Sequence, residues 1–390
     1  MDFELSETHK LIRDTAHRIA KERVAPRAAE LDETGEYPED IFRVFAEAGL
    51  FGLTIPEAYG GSGAGVLALA LAVEEVSKYD NACGLMVLLS ALPTQPLVLG
   101  GTEEQKRRWL PGIARGETRA AFCLTEPNHG SDAANLESRA VRDGDDYVIT
   151  GEKMYISGGS VATWVSFFAR TGGPGARGIS GFVLPTDTPG FRVARCDRKM
   201  GVRGVPTANI VVEAARVPAD HLIGGPAGEN RGFTTAMLTL NTLRPVVGAR
   251  GVGLAEGCLM YALEFARERE AFGVPIAQHQ AIQFLLADAA IQIEAARLLV
   301  YQGAWLVDQG KYEREHAAYL SIAKAFATEM ANKVASDMLQ VLGAQGYMAD
   351  HPLERQYRDA RQLMIVEGTS QIQRLVIARA LLARELHYPY

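Results

Sequence analysis

The spacing of apolar residues changes twice along this chain. After Ser6, a helix N-cap with Glu7 in the first turn, Leu11, Ile12, Thr15, Ala16 and Ile19 recur at helical intervals. Helical spacing continues to about residue 115, broken by the turn-rich run Tyr59-Gly60-Gly61-Ser62-Gly63-Ala64-Gly65. Between about 118 and 225 the pattern becomes short β-branched and aromatic runs: Tyr147 to Thr150, Thr163 to Ala169, Ile179 to Leu184 and Ala208 to Val212. Turns are predicted at Gly172-Gly173-Pro174-Gly175 and at Thr188-Pro189-Gly190. From about 230 long helices return. One apolar stripe runs through Ile282, Leu285, Leu286, Ala289, Ile293, Ala296 and Val300, another through Ile372, Leu375, Val376 and Leu382. The expected fold is mainly α with a central β domain: helices over residues 1–117, a β unit over 118–228 and a helical bundle over 229–390.

Composition narrows the function classes. With 390 residues, 47% hydrophobic and 22% charged, the chain can bury a large core and fill two or three domains. A net charge of -7 disfavours nucleic acid or an anionic membrane as partner, because an acidic surface offers neither any counter-charge. The acidic start Met-Asp-Phe-Glu-Leu-Ser-Glu lacks the basic and apolar regions of a secretory signal, and no uninterrupted apolar run is long enough to span a bilayer, so a cytoplasmic setting is expected. Cys83, Cys123, Cys196 and Cys258 lie far apart without a Cys-x-x-Cys pair and read as buried thiols. Neither Gly-x-Gly-x-x-Gly nor a P-loop is present, and His-Glu-x-x-His and Gly-x-Ser-x-Gly are also missing. No metal site is expected. Enzymatic chemistry here would borrow its reactivity from a bound organic cofactor.

Two segments of the β unit suggest where that cofactor sits. Phe122-Cys123-Leu124-Thr125-Glu126-Pro127-Asn128-His129-Gly130-Ser131-Asp132 runs from a strand into a polar turn. In Gly151-Glu152-Lys153-Met154-Tyr155-Ile156-Ser157-Gly158-Gly159, Tyr155 and Ser157 share a strand face by their two-residue spacing, so a planar group could stack on one and accept a hydrogen bond from the other. Taken alone, the first is a surface loop and the second a half-buried strand aromatic. Together they resemble the flavin-binding region of the acyl-CoA dehydrogenase family. Phe265-Ala266-Arg267-Glu268-Arg269-Glu270-Ala271-Phe272-Gly273, the glycine motif Gln340 to Tyr347, Arg358-Asp359-Ala360-Arg361 and Val366-Glu367-Gly368-Thr369-Ser370-Gln371-Ile372-Gln373-Arg374 resemble further family signatures, in order along the whole chain.

The resemblance implies an N-terminal helical domain, a barrel-like middle β domain and a C-terminal four-helix bundle, with FAD as cofactor. It implies that Phe122, Leu124, Thr125 and Ser131 line the flavin and that Tyr155, Ile156 and Ser157 pack on it. Arg269, Phe272, His279 and Gln280 would hold the diphosphate and adenosine, where a guanidinium suits a diphosphate. Gln340, Val341, Leu342, Gly343 and Ala344 would come from a partner subunit of a homotetramer built as a dimer of dimers, and Thr369, Ser370 and Gln371 would complete the site. Glu367 matches the base that removes the α-proton of an acyl-CoA thioester, with an electron-transfer flavoprotein taking the electrons. The alternative base position in some relatives corresponds to Leu243, which cannot accept a proton. Ser131, Asn241, Arg244, Gly368 and Arg379 would contact the substrate.

Local sequence adds that Ser370-x-x-Gln373 reads as a capping box, placing Glu367 ahead of a helix N-terminus. The loop at Thr125 resembles the glutaryl-CoA dehydrogenase version and keeps a dicarboxylic acyl chain open; against it, Cys83 stands where that subfamily carries a carboxylate-binding arginine, and the closing signature is of the medium-chain type. Val366, where an aromatic is common, predicts a wide pocket mouth and tolerance of medium or branched chains. The same scaffold also serves flavin acyl-CoA oxidases, enoyl-thioester reductases and enzymes acting on carrier-protein thioesters.

Overall fold

The computed structural model describes residues 4–386. The N-terminal layer consists of α1 (Glu7–Ile19), α2 (Ala28–Thr34), α3 (Glu39–Glu47), α4 (Gly65–Ser77), α5 (Asn81–Leu88), α6 (Gln95–Gly100) and α7 (Glu103–Ala114). Ser6 does cap α1, accepting from the His9 N–H. α5 is buried along its entire length, which is why its sequence shows no polar face.

Seven strands follow: β1 (Ala120–Cys123), β2 (Arg139–Asp143), β3 (Asp146–Ser157), β4 (Trp164–Arg170), β5 (Ile179–Pro185), β6 (Phe191–Cys196) and β7 (Thr207–Pro218). They form one sheet in the order β1-β4-β2-β3-β7-β6, with β5 also paired to β4. The sheet curls around a core that includes Tyr147, Ile149, Phe167, Phe182 and Ile210. β4 and β5 are buried on both faces, because Trp164 and Val183 pack outward against Leu97, Leu110 and Ile113 of the helical layer. This accounts for their unbroken apolar runs. β2 and β6 escape the sequence pattern because they are largely exposed and charged, and pairing with β3 and β7 makes them strands. Cys196 lies exposed on β6, so the expectation of four buried thiols holds only for Cys83, Cys123 and Cys258.

The C-terminal part is built on α8 (Gly232–Glu268), followed by the short hairpin β8 (Glu270–Ala271) and β9 (Val274–Pro275), then α9 (Gln280–Asp308), α10 (Ala317–Val341), α11 (Pro352–Leu363) and α12 (Ser370–Leu382). With 37 residues, α8 is roughly 55 Å long. Its composition would allow it to cross a bilayer, but 67% of its most apolar window is buried inside the protein. It packs against α4, α9 and α10. Contact with α4 is backbone to backbone: a Cβ at Gly253 would stand 2.1 Å from the Glu74 carbonyl oxygen, and one at Gly257 would stand 2.0 Å from that of Lys78. Only glycine permits this approach.

Candidate active site

Glu367 sits in the short turn between α11 and α12, with φ at 52°, and Gly368 follows at 87°. The left-handed conformation of a glutamate costs about 1 kcal/mol or more, so the surroundings must impose it. Gln373 Nε2 donates to the carbonyls of Glu367 (3.2 Å) and Gly368 (2.9 Å), and the Lys324 ammonium reaches across from α10 to the Gly368 carbonyl at 2.9 Å. The φ of Gly368 is what calls for glycine there, and a Cβ would in addition displace Gln373 Nε2, which it would meet at 2.7 Å. The helix cap differs from expectation. Thr369, with ψ at 162°, is the N-cap of α12 and accepts from the Ile372 N–H, while Ser370 is already helical. Gln373 is spent on carbonyls of the turn and makes no capping box.

The carboxylate is enclosed. Glu367 as a whole keeps partial exposure, but its Oε2 is sealed from solvent without a hydrogen-bond partner. Burial pushes its pKa up to about 7, against the pull of Arg250, Lys324 and Arg244. Those cations feel the same dryness: burial lowers Lys324 to about 8 and the two arginines to about 10. Arg244 donates to Ser321 Oγ at 3.0 Å and lines an open cleft of about 560 Å³ with Met237, Asn241, Arg314 and Arg379. Asn241 Nδ2 donates to the Tyr312 carbonyl at 3.0 Å. Leu243 is fully buried. Three of the expected substrate contacts thus share one cleft whose inner arginine acts on the carboxylate.

On the β side, Tyr155 lies at a bulge. Met154 and Tyr155 stand between the paired positions Lys153–Ile210 and Ile156–Ala208, opposite Asn209 alone. Tyr155 takes φ of 61° and the residue is 61% exposed, with Ile156 turned into the core and Ser157 half-buried. Tyr155 and Ser157 therefore do share the outward face. Met154 N–H donates to the Thr125 carbonyl at 2.9 Å, which joins the Thr125 loop to β3. Beneath that loop the Lys153 ammonium donates to Glu126 Oε1 (2.8 Å) and to the Leu124 carbonyl (3.1 Å). Glu126 also accepts from the N–H groups of Glu137 and Ser138. Burial works against both charges, yet Lys153 and these donors hold the Glu126 carboxyl below the usual carboxylate range. Phe122 and Thr125 are half-buried, Leu124 is buried and Ser131 is exposed. An exposed ring beside half-exposed hydroxyls fits a planar, polar-edged cofactor such as a flavin.

The remaining expected cofactor contacts lie elsewhere. Arg269 ends α8, and Phe272, at φ of 57° and 97% exposed, projects from the β8–β9 hairpin with its ring edge-on to His279. Gln280 begins α9, also exposed. Val341 and Leu342 are buried at the end of α10, while Gln340, Gly343 and Ala344 are exposed. Ser370 is buried and Gln371 exposed. The sequence reading missed Arg250, Lys324 and Lys153, although Lys153 stood inside a quoted segment. Lysines and arginines at helical or strand spacing carry no local mark of depth.

Comparison with known proteins bears on all three parts of the chain. Models of the acyl-CoA dehydrogenase N-terminal, middle and C-terminal domains match residues 6–117, 121–215 and 230–382. The probable acyl-CoA dehydrogenase YngJ of Bacillus subtilis is 44% identical over 98% of this chain and 100% of its own length. A chain from a structure of the electron transferring flavoprotein of Acidaminococcus fermentans superposes with a TM-score of 0.94 at 41% identity, covering 98% of this chain and all of its own. The butyryl-CoA dehydrogenase of Megasphaera elsdenii gives a TM-score of 0.94 at 36% identity over 98% of this chain and 100% of that one.

Proposed function

Because the chain belongs to the acyl-CoA dehydrogenase family, flavin-dependent oxidoreductases acting on acyl-CoA, we propose that Glu367 removes the α-proton of the thioester to give the trans-2-enoyl product. The carrying observation is a sealed carboxylate with an unpartnered oxygen, held in a left-handed turn beside a cleft. A thioester α-proton is weakly acidic, so its base must be close, dry and poised near neutral pH. Glu367 meets that need through burial, while the three cations stop the same burial from silencing it. FAD is the expected flavin; when bound it supplies the acceptor for the β-hydride. Thr125, Tyr155 and Ser157 orient it from the β side, and Thr369, Ser370 and Gln371 approach it from α12. Arg269, Phe272, His279 and Gln280 take its nucleotide end. Asn241, Arg244 and Arg379 hold the coenzyme A portion of the substrate in the cleft, with Ser131 and Gly368 at the thioester. Val366 at the turn leaves room for medium or branched chains.

We further read the assembly as a homotetramer, with Gln340–Ala344 of a partner completing the cofactor site and an electron-transfer flavoprotein as acceptor. Phe284, Ile291, Leu298 and Trp305 are exposed at seven-residue intervals along α9, an apolar ridge suited to burial against another copy. Sedimentation of the holoenzyme tests this; a monomer bearing full flavin would count against it. The base assignment is tested by anaerobic flavin bleaching with a panel of acyl-CoA thioesters. Glu367→Gln should slow flavin reduction by about 10³-fold or more while retaining the flavin. Near-normal reduction would sink the assignment.

A further inference from the structure

Arg358 and Asp359 stand on α11 and do not line the cleft, yet both grip the loop that joins β6 to β7. Asp359 is 2% exposed, and its Oδ1 accepts from the Val202 N–H at 2.5 Å. Arg358 donates to the Met200 carbonyl at 2.9 Å and to Asp32 of α2 at 3.0 Å, so the N-terminal layer shares the grip. Gly201 lies against the helix backbone: a Cβ there would stand 2.8 Å from the Arg358 carbonyl carbon. The Lys199 ammonium holds the loop from within, donating to the carbonyls of Val202 (2.6 Å) and Val205. Together these bonds maintain Val202, a β-branched residue only 1% exposed, at φ of 53°. A branched side chain in the left-handed region is a rare and strained state, which persists where the surroundings over-determine it and clusters where position matters to function.

Both partners in this contact lead to the site. On one side α11 runs on into the Glu367 turn, with the Gln362 carbonyl accepting from the N–H groups of Ile365 (2.9 Å) and Val366 (3.1 Å). On the other, the loop continues from Val202 to Pro206, whose carbonyl accepts from the Gly158 N–H at 2.8 Å, and Thr207 then pairs with Ser157 in the β3–β7 ladder. Two short paths of bonded backbone thus run from Asp359, one to the base and one to the hydroxyl on the flavin face. Glu367 and Ser157 stand on different domains, and the clamp at Val202 ties the two together. Resting on Glu367 as the base and Ser157 as a flavin contact, we propose that Asp359, seconded by Arg358, is a positioning residue: it clamps the strained loop to α11 and so sets the base against the flavin face. Reacting groups misplaced by about 1 Å lose on the order of 10²-fold in rate, so the clamp acts on the reaction although it touches no reacting atom. An acceptor that merely capped the Val202 N–H would stabilise the loop without any effect at Ser157.

The test is a double-mutant cycle between Asp359→Ala and Ser157→Ala in the holoenzyme, read by anaerobic flavin reduction and by amide hydrogen exchange. Asp359→Ala should slow flavin reduction roughly 10- to 100-fold. Ser157→Ala should slow it about 10-fold or more by itself but less than about 3-fold on top of Asp359→Ala, because the hydroxyl is then already out of place. Exchange of the Gly158 N–H should rise about 10-fold or more in Asp359→Ala, whereas Asp359→Asn, which keeps the Oδ1 acceptor, should hold both rate and protection within about 3-fold of wild type. Losses that multiply, or protection at Gly158 that Asp359→Ala leaves unchanged, overturn the proposal. Arg358→Gln frees the Met200 carbonyl with Asp359 in place and carries the same cycle if Asp359→Ala does not fold. If Ser157→Ala alone leaves the reduction rate unaltered, the reading of Ser157 as a flavin contact fails, and exchange at Gly158 still decides the clamp; if Glu367→Gln is reduced normally, the reading of the base fails first.

Discussion

Two buried charge clusters in this molecule use the same residue types and come out differently. Glu126 and Lys153 sit under the Thr125 loop at 4% and 0% exposure, and Glu126 collects three donors. Glu367 has three cations around it, yet its Oε2 bonds to none of them. In the first cluster every hydrogen bond favours the ionised pair, so the charges are fixed and act as a scaffold. In the second, burial is only partly opposed, and the carboxyl rests near the pH at which it can both take and release a proton. Satisfying a buried charge builds structure; leaving it partly unsatisfied builds reactivity.

The sharpest way to break this comparison is Lys153→Met. It strands a buried carboxylate and should destabilise the protein by about 3–5 kcal/mol, with loss of flavin retention as the loop above comes free. Denaturant melts and flavin content check both effects; a change under 1 kcal/mol would mean the pair is not the anchor described. Glu367→Gln should act in the opposite direction on stability. The folded-state pKa of Glu367 lies above its ordinary value, so the folded protein binds more protons than the unfolded chain between about pH 4.5 and 7, and stability falls as pH rises through that window. Removing the charge should therefore stabilise the enzyme by about 2–3 kcal/mol at pH 8 and hardly at all at pH 4. Thermal melts at the two pH values decide it.

The same ionisation makes the rate of flavin reduction by substrate rise with pH, half-maximal near 7. Lys324→Met gives the smallest effect. It removes one cation from the carboxylate and one donor from the Gly368 carbonyl, so the pH profile should move alkaline by about half to one unit, lowering the rate at pH 7 several-fold. Lys324→Arg should restore part of the shift. A profile that stays in place would confine Lys324 to holding the turn.

Much of this was legible from residues alone. Five of the seven main strands, the cap at Ser6 and the place of Glu367 ahead of a helix N-terminus follow from periodicity and motif. The cap of α12 was misplaced by one residue because Thr369 and Ser370 are both competent caps, and only the extended backbone at Thr369 separates them. β6 was hidden because five of its six residues are exposed, so no alternation betrays it. Arg250 and Lys324 read as ordinary helix charges, since nothing beside them in sequence tells how far they lie from water.

That distance divides what each level determined. The sequence set the order of helices and strands and the small residues that let α8 meet α4, because each depends on the preferences of a few neighbouring residues, whereas the left-handed backbone at Glu367 is imposed by its tertiary surroundings. Tertiary structure alone decided which charges are dry, which of those are bonded and which are left facing the carboxylate. Desolvation and Coulomb energy depend on depth and on neighbours from α4, α5, α8, α10 and α11 together, and packing brings those neighbours into place.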